Sequence, residues 1–207
     1  MPVKLSALVL AKNEQGMIRG CLAQLDFADE VIVLDQNSQD TTIEIASKFT
    51  DKIIKTRQED FSINRNQLAH RATGDWLLYV DADERLSPEL IREIRSKISA
   101  NQHVAYLGPH PAKPEKTAEC SAFYIPRRNF ILGKWQKHGG WWPDYVPRLI
   151  KRDKLINWQG RVHESPIIGG EFGYLKSSID HLTARSLSQM FKKSIKWAKI
   201  EAELYYK

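Results

Sequence analysis

The sequence predicts an α/β fold: a mostly parallel sheet flanked by helices, in one domain. Three observations predict it. Short apolar runs such as "LSALVL", "EVIVLD" and "WLLYV" have the length and density of buried strands. Segments with helical spacing separate them. Polar residues gather where the runs end: Lys12-Asn13-Glu14, Asp35, and Asp81-Ala82-Asp83. In a parallel sheet those ends share one edge, and ligands bind there.

The elements follow in order. Leu5–Leu10 is the first strand. Glu14–Leu25 carries Met17, Ile18, Cys21, Leu22 and Leu25 on one helical stripe. Glu30–Asp35 is a buried strand ending in a carboxylate. A helix follows in "SQDTTIEIASKF", with Asp40 or Thr41 as its N-cap. Lys52–Thr56 is a third strand, and Phe61–Arg71 a helix bearing Ile63, Leu68 and Ala69. Trp76–Val80 is the fourth strand. Ser87, Pro88 and Glu89 supply an N-cap, a first-position proline and a first-turn acid. Leu90, Ile91, Ile94 and Ile98 form the buried face of that helix. "LGPHPAKPEKTAEC" has loop composition, and "AFYIPRRNFILG" has strand composition. A strand over Tyr174–Ile179 and a basic terminal helix complete the chain.

The bulk composition narrows the function classes. The chain has 207 residues, 42% hydrophobic and 27% charged, which suits one globular domain. No apolar run approaches the roughly 20 residues that cross a bilayer. The start, "MPVKLSALVLAKNE", enters a strand without the pattern of a signal peptide. Cys21 and Cys120 suggest neither a disulfide framework nor a zinc knuckle, so a cytoplasmic setting is expected. The net charge of +6 favours anionic partners without choosing among nucleotide, nucleic acid and membrane surface.

The stretch "WLLYVDADERLSPEL" carries the chemistry. Asp81, Asp83 and Glu84 crowd the mouth of a buried strand and need a positive partner. A solvated turn capping the next helix would explain an isolated Asp-x-Asp. Here the pair follows a buried strand at the ligand edge, in line with Asp35, which favours a hard-oxygen site for Mg²⁺ or Mn²⁺. Rival motifs fail. The stretch lacks the continuation of a calcium loop. The chain has no Walker loop and no Gly-x-Gly-x-x-Gly fingerprint. His163-Glu164 is no zincin motif, because Ile167 stands where a second histidine is required. A phosphatase of the haloacid dehalogenase type usually places its Asp-x-Asp on the first strand, not the fourth.

The blocks "LVLAKNE", "EVIVLDQNSQDTT", "RNQLAHRATGDWLLYVDADERL", "GGWWPDYVPRLI", "GRVHE" and "DHLTARSLSQMFKK" occur in this order over nearly the whole chain. Together they resemble family 2 glycosyltransferases of GT-A type, with a Rossmann-like sheet. The later blocks are similar to the lipopolysaccharide-core β-glucosyltransferase branch. Where the family often has a second acid after Asp35, this chain has Gln36.

The resemblance implies an inverting, metal-dependent hexosyltransferase using a UDP-sugar. Residues 1–100 would form the nucleotide-binding half, 101–185 the acceptor-side half and 186–207 a basic C-terminal helix. Ala11, Asn13, Glu14, Asp35, Arg65, Asp81 and Lys193 would hold the nucleotide-sugar. Asp83 and His181 would bind Mn²⁺ or Mg²⁺, and Glu164 would be the catalytic base. His163 competes for that role, but neighbours on an extended segment point opposite ways. Trp141, Trp142, Asp144 and Arg148 would border the acceptor, a glycan or lipid-linked glycan. Each has a plainer structural reading: Arg65 as a surface helix charge, Glu164 as the start of a turn, His181 as a satisfied histidine, the tryptophans as core. Two other classes stay open, a nucleotidyltransferase on a related sheet and a non-catalytic carbohydrate-binding module. No nucleic-acid partner is expected. The terminal helix, with Phe191, Ile195 and Ala198 on one stripe among lysines, suits either packing on the body or peripheral contact with an anionic membrane.

Overall fold

The structure is a computed structural model that describes residues 2–99, 120–160, 164–184 and part of 186–202. In chain order the elements are β1 (Leu5–Ala11), α1 (Ile18–Leu22), β2 (Glu30–Asp35), α2 (Thr42–Ala46), β3 (Ile53–Lys55), α3 (Phe61–Arg71), β4 (Trp76–Asp81), β5 (Glu84–Leu86) and α4 (Pro88–Ser99). Then come β6 (Cys120–Ile131), β7 (Lys134–Trp135), β8 (Asp144–Lys151), β9 (Leu155–Gln159), β10 (Ser165–Ile168), β11 (Glu171–Tyr174) and β12 (Ile179–Ala184). The result is a mixed α/β domain. Its main sheet runs β3-β2-β1-β4-β8-β6-β12-β5, with β7 and β11 also paired to β6. The first four of these strands are all parallel. The second half joins antiparallel, through β8 against β4 and β6. β9 and β10 form a separate hairpin.

The strand period of two explains the core. Leu5, Ala7, Val9 and Ala11 of β1 face one layer with Trp76, Leu78 and Val80 of β4. Leu8 and Leu10 face the other layer with Leu77, Tyr79 and Leu68 of α3. Both faces are covered, so these strands are apolar throughout. The parallel register sets Ala11 beside Asp35 and Leu10 beside Asp81, which brings the polar strand ends to one edge.

Two expected elements are corrected. The stripe from Glu14 to Leu25 is buried at Ile18, Cys21, Leu22 and Leu25, but only Ile18–Leu22 is helical. The amide of Leu25 turns back to the carbonyl of Leu22, closing the helix early. The strand expected over Tyr174–Ile179 is two strand ends. The Glu93 carboxylate takes the amides of Lys176 and Ser177 at 2.9 and 2.8 Å, diverting the backbone from its ladder. Other signals hold. Ser87 Oγ accepts from the Leu90 amide, with Pro88 opening α4. Asp40 accepts from the Thr42 amide at the start of α2.

The sheet edge opposite the polar strand ends is pinned by Glu30. Its Oε1 accepts from Ser6 Oγ and from the amides of Thr73 and Gly74, and Lys52 Nζ meets its Oε2 at 2.7 Å. Burial would raise this carboxyl, but Lys52, Ser6 and Thr73 outweigh it and hold it at about 2. The folded value lies below the unfolded one. Its stabilisation is therefore complete above about pH 5 and lost as pH falls towards 2. Glu30→Gln should cost roughly 1–3 kcal/mol near neutrality and flatten the acid limb of the stability curve. Urea denaturation between pH 3 and 7 checks this, and parallel curves for both proteins would refute it.

Beyond β12, the described residues from Leu187 to Ala202 are helical. Leu187, Phe191 and Ile195 stand exposed rather than packed on the body. Among the described residues no helix is long and apolar enough to cross a membrane. The stretch expected as a loop, Leu107 to Cys120, lies outside the described residues up to residue 119.

Candidate active site

The acidic turn is answered first by arginine. β4 delivers Asp81 to the ligand edge, where Arg65 Nη2 meets its Oδ1 at 3.2 Å and Arg148 Nη2 bonds its Oδ2. Arg148 also donates to Glu84 Oε1 at 2.6 Å, and Glu84 Oε2 accepts the Asp81 amide at 2.9 Å. Glu84 is fully buried, and Arg148 is only 4% exposed. Burial would raise the Asp81 carboxyl, but the charges of Arg148 and then Arg65 hold it well below the usual range. Burial would lower Arg148, and Asp81 and Glu84 overcome that, so the guanidinium keeps its proton. Arg148, expected at the acceptor border, lies buried beneath the turn and bridges Asp81 and Glu84. Glu84 and Arg85 shape the turn. Arg85 donates to the carbonyls of Ala82, Glu84 and Met17, lying against Gly20, where a side chain would collide with it at 2.9 Å.

Arg65 is buried as well, not a surface charge. Its Nε donates to Glu164 Oε1 at 3.1 Å, so one guanidinium joins Glu164 to Asp81. The guanidinium lies 5.5 Å from the Tyr79 ring centre and 5.0 Å from that of Trp158, within cation–π range. The next residue, Asn66, exchanges two hydrogen bonds with the Trp158 backbone, at 2.9 and 2.7 Å. Helix α3 therefore anchors β9, the strand before Glu164, while Arg65 meets the carboxylate itself.

β12 places the histidine. Its register sets His181 beside Glu84 of β5 and Asn129 of β6. Asn129 Nδ2 donates to Asp144 Oδ2 at 2.8 Å, so its Oδ1 accepts from His181 Nδ1 at 2.7 Å. The proton on Nδ1 leaves Nε2 facing Asp83 Oδ2 at 3.5 Å. A lone pair facing a carboxylate requires a proton or a cation between them. Two ligands about 2.1–2.3 Å from one ion stand roughly 3.0–3.5 Å apart, so the pair fits a divalent ion. Among the described residues no cluster of three His, Cys, Asp or Glu ligands exists. Two protein ligands suffice for an ion completed by water and substrate phosphate.

At the end of β2 lies a shallow pocket of about 330 Å³ lined by Asp35, Asn37, Ser38, Ile43, Lys55, Thr56 and Arg57. Asp35 is fully buried and accepts from the Ser38 amide and hydroxyl. Asn13 has φ 54°, its amide donates to Ser38 Oγ, and its Oδ1 accepts from the Gln39 amide. Glu14 donates its amide to Thr42, and the Ala11 carbonyl accepts from Gln36. These residues build the loops of the pocket. A larger concavity of about 450 Å³ lies at the start of β2; Asp26, Asp29 and Glu30 line it and no basic residue does, which excludes it for a diphosphate.

Of the remaining site residues, Trp141 is 43% exposed and Trp142 stands edge-on to Trp135 at 5.4 Å. Asp144 is bound by Arg127 and Asn129. Lys193 and His163 lie outside the described residues. Asn66, Arg127, Asn129 and Trp158 join the site only through the fold. Arg127 and Asn129 alternate along β6, a period-two signal that places both on one face.

Residues 6–182 match the description Glycosyl transferase family 2. The glycosyltransferase SunS of Bacillus phage SPbeta is 38% identical over 163 residues, covering 77% of this chain and 34% of SunS. A glycosyltransferase of Rickettsia felis is 33% identical over 105 residues, covering 50% of this chain and 37% of its own. The chain thus spans only about a third of the length of these relatives. Among solved structures, Staphylococcus aureus TarS 1–349 in complex with UDP-GlcNAc superposes with a TM-score of 0.59 at 15% identity, over 91% of this chain and 61% of that one. That likeness extends to the fold, and the family match spans the sheet, the acidic turn and His181: the chain belongs to glycosyl transferase family 2.

Proposed function

We propose that the protein is an inverting, metal-dependent hexosyltransferase that moves a sugar from a UDP-sugar to a hydroxyl of a glycan or glycolipid. One observation carries the reading: Arg65 holds Glu164 against Asp81, beside the Asp83–His181 pair. Residues distant in sequence thereby place an arginine-held carboxylate near a site suited to a diphosphate.

In this reading residues 1–100 hold the nucleotide and 101–185 face the acceptor. Asp35 accepts from uracil N3–H; its oxygens keep lone pairs beyond those used by Ser38. Asn13, Glu14 and Ala11 shape that pocket, and Lys193 is a further candidate for the diphosphate. Asp83 and His181 hold Mn²⁺ or Mg²⁺, which when bound neutralises charge on the leaving diphosphate. Glu164, oriented by Arg65, takes the proton of the attacking hydroxyl, and in-line displacement inverts the anomeric carbon. TarS, which shares the fold, was solved with UDP-GlcNAc, in keeping with a UDP-sugar donor. The resemblance of the later sequence blocks to the lipopolysaccharide-core branch supports a role in lipopolysaccharide-core or other cell-surface glycan synthesis. The exposed Leu187, Phe191 and Ile195, in a lysine-rich stretch, support peripheral membrane contact.

The test is UDP release from a panel of UDP-sugars with and without Mn²⁺ or Mg²⁺. Turnover should require the ion, and Asp83→Ala should lower it by about 100-fold or more. Metal-independent turnover, equal in both proteins, would overturn the mechanism.

A further inference from the structure

We propose that the acceptor is acidic, carrying a phosphate or carboxylate, and that Trp135, Lys137 and Trp141 form the subsite that selects it. The proposal rests on the transferase reading and names the substrate class for its acceptor side.

The subsite is built by a tight hairpin. Leu132 and Gly133, at φ 50° and 77°, turn the chain so that β7 returns along the end of β6. This carries Trp135 back beside Phe130. Trp135 then becomes the centre of a cluster. Lys137 Nζ lies 4.7 Å from its ring centre, the Arg128 guanidinium 5.5 Å, and Trp142 meets it edge-on at 5.4 Å.

The charges do not balance. Arg128 is paired with Asp180 at 2.6 Å, and Arg127 with Asp144 at 2.8 Å. Lys137 has no carboxylate partner among the described residues, and its ammonium lies over the Trp135 indole instead. The stretch "LGKWQKHGGWWP" contains Lys134 and Lys137 and no acid at all. A lysine already ordered on a ring loses less entropy when it captures an anion. In the same loop Trp141 is 43% exposed, and an exposed indole can stack on a sugar ring.

The cluster is tied to the candidate active site. The Gln136 amide, next to Lys137, donates to the Asn129 carbonyl at 2.9 Å, and the Asn129 side chain holds His181. An acidic group on Lys137 is therefore held next to the strand whose Asn129 positions His181.

The full chain is first saturated with UDP and Mn²⁺, so that anionic probes do not enter the donor site. Glucose, glucuronate and glucose 6-phosphate are then titrated by NMR. Both acidic probes, or the one of matching chemistry, should bind about 10-fold tighter than glucose, a difference of about 1.4 kcal/mol. Lys137→Gln should remove the preference, Lys137→Arg should restore it, and Trp141→Ala should weaken every probe. Equal binding of all three, no binding of any, or a preference that survives Lys137→Gln would overturn the proposal. UDP binding by the wild type, measured separately, reports on the transferase reading, so the two can fail independently.

Discussion

Replacing Arg148 by methionine should destabilise the fold by about 3–5 kcal/mol at pH 7, the cost of removing one partner from a buried charge cluster. Arg148 meets both Asp81 and Glu84, and Glu84 has no exposed surface. Arg65 reaches Asp81, while Arg127 is 3.8 Å from Glu84, too far to replace the lost hydrogen bond. The pH dependence has a definite sign. The Asp81 carboxyl is held low in the folded protein, so its contribution is present at neutral pH and lost on acidification. The deficit of Arg148→Met should therefore be largest near pH 7 and shrink below about pH 4, where carboxylates take up protons. Arg148→Lys should recover only part, because one ammonium lacks the planar fork that spans two carboxylates. Urea denaturation of the three proteins at pH 7 and pH 4 decides it. A deficit below about 1 kcal/mol, or one unchanged by pH, would show that the cluster does not depend on this residue.

Glu164→Gln should lower turnover by about 10²–10⁴ with UDP binding retained. The amide is nearly isosteric, and its oxygen still accepts from Arg65 Nε, so the anchor made at 3.1 Å survives. What disappears is the ability to take a proton. Glu164→Asp keeps the carboxylate but withdraws it from Arg65, and should lose activity through misplacement. Kinetics with saturating donor, together with UDP titration, separate the two effects. Near-full turnover in Glu164→Gln would assign the base elsewhere.

Much of the frame was legible in the residues. The runs ending at Ala11, Asp35 and Asp81 are apolar on both faces because both faces of those strands are covered. Their polar ends align because parallel strands run the same way. Ser87-Pro88 announced α4 through local backbone chemistry. The misread elements had non-local causes. Glu93, more than eighty positions away, interrupts the strand expected from Tyr174. Arg148 sits in a motif rich in tryptophan, and nothing near it in sequence says that it turns inward to two acids.

The sequence by itself determined the α/β class, the shared edge of the strand ends and the acids at that edge, because periodicity and strand direction are local properties of the chain. Only the tertiary structure decided how those acids are divided: Asp81 and Glu84 to arginine, Asp83 to His181, and Glu164 to Arg65. The partners lie far apart in sequence, 67 positions for Arg148 and Asp81 and 99 for Arg65 and Glu164. A buried charge takes whichever opposite charge the packing brings within a few ångströms, and sequence spacing carries no record of that distance.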